Sequence, residues 1–362
     1  MPSDIHALVD ELVAQMTSGS ARGYQRAMSR LADTARAESP AGLTAAVEAL
    51  APLLPGLAGD FAKTALLAGA CVEWGASPMA LAGVLPQRAS ESMMLNDLVP
   101  GFWADAAPGR PLPEPVSAST KQLVQAFVTL ARPQGRPNKA DMTRIAMSWF
   151  DMEDWLKALI TVLGDGSFRA AVPAAAKAEL RERAAAVGRR SQLAAWVGQL
   201  AAVLDNEQLV VLDPHARRGY ALTMSGVGDN FQLHILLADR LIGDPGRDLL
   251  SGVRPDRSWV EAATDGDPQL GPGNPAIRRF RVFDGHGAYI YPEGVPADIK
   301  PLDGTRVLVL HPANGNFGMG IGRVFRHMTP ALVLDRVLEP HEVDSWLSRI
   351  APAVQKDIMA TG

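Results

Sequence analysis

Residues 208–243, QLVVLDPHARRGYALTMSGVGDNFQLHILLADRLIG, change the hydrophobic rhythm of the chain. Two apolar runs, 208–213 and 219–224, alternate or stay apolar over strand length and flank Asp213-Pro214, so they predict a β-hairpin. A glycine-spaced turn, Ser225-Gly226-Val227-Gly228-Asp229, then leads into 230–241, where Phe231, Ile235, Ala238 and Leu241 recur at helical spacing. Strand, turn and helix in close succession mark the start of a domain that mixes both element types.

Upstream of this segment the grammar is helical. Ile5, Leu8, Val9, Leu12 and Val13 fall on one helical face behind Ser3 and Asp4, and 19–37 repeats the pattern. Ser39-Pro40 opens a third helix and Pro55-Gly56 closes it. The 60–74 segment is apolar on nearly every face and reads as the central helix. Further helices are expected from Ser77-Pro78 toward Trp103, over 119–130, over 141–163 behind an Asn138 cap, and as one long helix over 173–204. The run PGRPLPEPVS at 108–117 holds four prolines and predicts an extended connector. No fixed-period signature accompanies these helices, so a bundle and a solenoid-like array describe residues 1–206 equally well.

Downstream, residues 207–362 predict a smaller α+β domain. Segment 243–277 is irregular, strands are expected at 278–284, 288–291, 304–311 and 331–338, and a helix over 340–350 closes the chain. The fold class is therefore α plus α+β, with an all-helical first part. A length of 362 residues exceeds the usual single core, in keeping with two domains.

Composition narrows the function. A net charge of −4 gives no global attraction to nucleic acid or anionic membranes, and no run approaches the ~20 apolar residues of a membrane span. The single cysteine, Cys71, lies in an apolar run and reads as a small hydrophobe. With no secretory pattern at the start of the sequence, a cytoplasmic location is expected.

Candidate chemistry concentrates in the second part. Ser225 and Asp229 sit at a strand-to-helix turn whose amides can meet an anion, although Asp229 is better suited to cap the helix than to tolerate a negative ligand. HPANGNFGMGIG at 311–322 offers a ligand loop through Asn314, Asn316, Gly318 and Gly320, but it is not G-x-G-x-x-G. Of seven histidines only His6 lies in the helical part. His215, His286 and His311 fall at strand ends or turns, where acid–base or ligand sites gather, whereas His234 reads as a packed helix residue. No local motif predicts a metal or a cofactor, and since no two histidines stand at ligating spacing, any histidine site has to be assembled by tertiary folding. Asp151 and Asp154 share a helical face between Trp149 and Trp155 and read as a solvated or capping pair.

G-x-S-x-G, H-E-x-x-H, Walker A and C-x-x-C are all absent. The leading expectation is thus a non-catalytic binding or adaptor protein that uses its helical half as an interaction surface, with a protein partner or a small polar ligand. It calls for an exposed apolar groove. The alternative is an enzyme, hydrolytic or metal-dependent, in which His286 or His311 works with Ser225, Asp229, Asn314 and Asn316. That alternative requires these side chains to converge in one concave site.

Overall fold

A computed structural model of the chain describes residues 5–132, 137–265, 280–312, 325 and 328–354. The chain divides into two compact units, Met1–Ala201 and Ala202–Gly362. The first is helical and the second carries a five-stranded mixed sheet with helices, an α plus α+β architecture.

The helical unit comprises α1 (Ile5–Thr17), α2 (Ala21–Arg36), α3 (Pro40–Leu50), α4 (Lys63–Glu73), α5 (Leu85–Ala106), α6 (Thr120–Thr129), α7 (Lys139–Leu163), α8 (Gly166–Ala171), α9 (Ala174–Val187) and α10 (Gln192–Ala202). Local chemistry sets several starts. Ser20 and Ser39 accept the Gly23 and Gly42 amides, and Asn138 forms a capping box with Asp141. The centre is α7, which packs against α4, α5 and α6. At its crossing with α4, a side chain on Gly69 would meet the Ala158 backbone at 3.3 Å, so glycine permits the close approach. Trp155 on α7 is fully buried, worth a few kcal/mol of apolar transfer.

Three expectations in this unit are revised, the first being that α7, and not the 60–74 segment, lies at the centre. Asp151 is not on a solvated face: it is buried, and it accepts the Gly59 amide at 2.6 Å and the Ser92 hydroxyl at 3.3 Å. The helix expected over 173–204 is two helices, broken after Val187, because α10 folds back until its Gly198 approaches Ala184 of α9.

The second unit contains β1 (Glu207–Asp213), β2 (Arg218–Ser225), α11 (Asn230–Leu241), α12 (Arg257–Ala263), β3 (Phe280–Asp284), β4 (Arg306–Pro312), β5 (Ala331–Val337) and α13 (Pro340–Leu347). The strand order is β3-β4-β1-β2-β5. β1 and β2 form the expected hairpin, pairing Leu209 with Leu222 and Val211 with Tyr220. β1 runs parallel to β4, with Leu212 opposite Val309, and β3 and β5 pair antiparallel at either side. Alternation sorts the side chains. Leu209, Val211, Leu222, Val282, Leu308 and Leu310 join Leu233, Leu236 and Leu237 of α11 in one core. Val210, Leu212, Phe283, Val307 and Val309 form the opposite face, covered by Val343, Trp346 and Leu347. Gly219 leaves room at the hairpin for the Leu338 and Val343 side chains, which a Cβ there would meet at 2.8 Å and 3.0 Å.

The strand expected at 288–291 is only a bridge between Tyr289 and Phe283. The irregular segment after Gly243 contains a short turn of helix at Pro245–Arg247 and α12.

Candidate functional site

The parallel pairing of β1 with β4 gives the sheet a carboxyl end and an amino end, and ligands of α/β sheets gather at the carboxyl end. There β1 finishes at Asp213 and β4 at His311-Pro312. Asp213 closes the hairpin turn by accepting the Ala216 amide at 2.9 Å, while Arg217 adopts a left-handed φ of 48°. This turn brings His215 to His311, with ring centroids 6.3 Å apart and planes perpendicular. His311 also packs edge-on against Phe283 at 5.0 Å, and the Arg281 guanidinium lies 5.2 Å over the same phenyl ring.

The two imidazoles border a pocket of about 490 Å³. Asp213, His215, Arg218 and His311 form its polar side. Ile242, Leu250, Phe280 and Leu310, all largely buried in the sheet core, form its apolar floor. Arg218 fixes the facing wall: it donates to the Leu249 carbonyl, to the Pro245 carbonyl at 3.2 Å, and pairs with Asp248 at 3.6 Å. The Tyr220 hydroxyl donates to the Asp248 carbonyl at 2.9 Å, and burial pushes its pKa up to about 12, so it remains a donor.

Burial pulls the His311 imidazole below its ordinary pKa, and the positive charges of His215 and Arg281 pull it further. Asp213 opposes them. A neutral imidazole in a positive field can accept a proton or donate to an anion.

The amino end differs. The Ser225 hydroxyl accepts the Asn206 amide at 2.8 Å. Asp229 caps α11 by accepting the Gln232 amide at 2.8 Å, and burial raises its carboxyl to about 6. His286 meets the Pro301 carbonyl through Nε2 at 3.1 Å, a contact that requires the proton on that nitrogen. His286 does line a second pocket, of about 570 Å³, together with Asn230. Asn230 is held there by its amide donating to the Gly294 carbonyl and its Nδ2 to the Tyr291 carbonyl.

The candidate side chains therefore do not converge. In the β3–β4 ladder His311 pairs with Arg281, while His286 lies beyond Asp284, which pairs with Leu308. Three ladder steps, about 10 Å, separate the two ends of that register. His286 and His311 border different pockets. Asn314, Asn316, Gly318 and Gly320 lie outside the described residues. Among the described residues, no group of three or more His, Cys, Asp or Glu is arranged to hold a metal ion.

Reading the residues alone missed Arg218 as a site member and left His215 without its neighbour. The signal for His215, Asp-Pro-His at the end of an apolar strand, is local, but the ring it meets belongs to a strand far along the chain.

In the helical unit, Leu98 is 44% exposed and shares a groove of about 350 Å³ with Leu95, Phe102 and Ile145, rimmed by Glu91 and Arg144. Cys71 is fully buried, and burial pushes its thiol up to about 11, which removes it as a nucleophile near neutral pH. Among the described residues no helix is long and apolar enough to cross a membrane.

No protein-family model matches the chain, and no curated protein or solved structure matches it either.

Proposed function

We propose that this is a non-catalytic binding protein of the cytoplasm, whose second unit takes a small polar ligand and whose helical unit receives a protein partner. The observation that carries the reading is the pocket at the carboxyl ends of β1 and β4. It joins an apolar floor to a cluster of His215, His311, Arg218 and Asp213, the pattern of an orienting ligand site. Its volume of about 490 Å³ lies within the range of small-molecule pockets. The groove around Leu98 supports the second contact, since a monomer gains nothing by leaving such apolar surface wet. The buried reduced Cys71 and the net charge of −4 are in keeping with a cytoplasmic protein that does not seek nucleic acid.

The test is a screen of small polar compounds by thermal shift, followed by NMR of the histidine rings. Expected is a saturable rise in Tm with movement of the His215 and His311 signals, no movement at His286, and recovery of the ligand unchanged. A library that never moves His215 or His311 overturns the reading.

A second reading, an enzyme with His311 as general base, is favoured by one observation: its imidazole is held neutral beside Asp213. Consumption of the bound compound, abolished in His311→Gln, would establish it in place of the first.

A further inference from the structure

The pocket's two surfaces make unequal demands on an occupant. The floor of Ile242, Leu250, Phe280 and Leu310 is continuous with the sheet core and has no polar side chain to offer. Water held against it loses hydrogen bonds, so an apolar body of a few carbons is favoured there by about 25 cal/mol for each Å² it covers.

The polar side is electrically biased. Three cationic or protonatable groups, Arg218, His215 and His311, line it. Of the facing carboxylates, Asp248 is already paired with Arg218. Asp213 has one oxygen committed to the Ala216 amide. What remains is two imidazoles against one carboxylate, with the Arg281 charge acting on His311 from the neighbouring strand. The same imbalance is felt by His311, whose proton affinity falls through burial and through the charges of His215 and Arg281. A field that repels a proton attracts an anion.

The donors also suit a singly charged group better than a phosphate. Arg218, the strongest candidate for a phosphate, is occupied by the Pro245 and Leu249 carbonyls. The two imidazoles, 6.3 Å apart between centroids, bring two N–H donor groups to the same side of the pocket.

We propose, resting on the ligand-pocket reading above, that the occupant is a small monocarboxylate with an apolar body. The body lies on Ile242, Leu250, Phe280 and Leu310, and the carboxylate sits between His215 and His311. Binding then favours the protonated imidazoles, so affinity rises as pH falls toward the histidine range.

The experiment titrates the full chain with five probes, phenylacetate, acetate, phenylacetamide, benzylamine and inorganic phosphate, at pH 8 and pH 6, following the His215 and His311 ring signals by NMR. Expected is saturable binding of phenylacetate, at least about tenfold tighter than acetate, phenylacetamide or phosphate, as a charged hydrogen-bond pair and a covered apolar floor each supply that much. Binding should tighten at pH 6, and His215→Gln, at an exposed position that leaves the fold intact, should weaken it severalfold. Phenylacetamide, benzylamine or phosphate binding as tightly as phenylacetate, with the same two rings moving, overturns the carboxylate assignment and leaves the pocket reading standing. If none of the five moves these rings while the wider library does, the ligand class again falls alone. If the library fails as well, both fall together.

Discussion

At the carboxyl end of the β1/β4 pair, His215 and His311 meet ring to ring beside a pocket, whereas at the amino end Ser225, Asp229 and His286 each hold a nearby backbone group in place. Both ends present the residue types from which sites are built. At the amino end these groups complete turns and a helix cap, where an unsatisfied amide would otherwise destabilise the fold. At the carboxyl end Asp213 closes the turn, and the two imidazoles, one of them packed on Phe283, meet each other beside the pocket. Residue type is therefore a weak guide to a site, and what else needs the side chain is a strong one.

The contrast can be broken most forcefully at Phe283, the phenyl ring under His311. It is buried in the face covered by α13, so Phe283→Ala should lose about 3–5 kcal/mol in urea unfolding. In the same variant, His311 should titrate closer to an ordinary histidine, because burial is the largest cause of its low pKa. An unmoved His311 would show that its field does not originate in this packing.

Next in size is Asp229. Burial lifts its carboxyl from 3.8 to about 6, so the folded chain holds the proton more tightly than the unfolded one. Its contribution to stability is full below about pH 4, falls as pH climbs to about 6, and stays low above. Asp229→Asn keeps the cap and removes the ionisation. The variant should gain about 1–3 kcal/mol on wild type at pH 7 relative to the same comparison at pH 4. Asp151, lifted to about 6 by burial against the Gly59 and Ser92 donors and Arg88, should behave with the same sign in the helical unit. Unfolding curves at the two pH values decide both.

Ser225→Ala should cost about 1 kcal/mol, the worth of one amide acceptor at the start of β1, and leave the His215 and His311 titrations where they are. A changed titration would mean that the two sheet ends communicate. The smallest change in stability, within about 0.5 kcal/mol, is expected for the exposed His215→Gln. Its signature is instead an upward movement of the His311 pKa in an NMR pH titration, since a neighbouring positive charge has gone.

Much of the fold was legible along the chain. The β1/β2 hairpin followed from two apolar runs about an Asp-Pro turn, α11 from its periodicity, and the Asp229 cap from its place at the strand-to-helix turn. Each is an interaction between near neighbours. The burial of Asp151 was not legible, because its partners Gly59 and Ser92 lie 92 and 59 residues away. The break between α9 and α10 was also hidden: helical spacing continues across Gly188, and only the packing of Gly198 on Ala184 shows that the chain reverses there. At 288–291 the residues suit a strand, but only Tyr289 is bridged to β3.

The sequence by itself determined the change from helical to strand rhythm near Asn206, most helix starts, and the gathering of histidines in the second unit. Tertiary structure alone decided which histidines meet. Hydrogen-bonding and periodicity rules act over a few residues, whereas the parallel register that sets Leu212 opposite Val309 is fixed by burying both faces of β1. That register carries His311 to His215 and leaves His286 at the other end of the sheet, because strands aligned by their cores have no freedom left to align their polar ends.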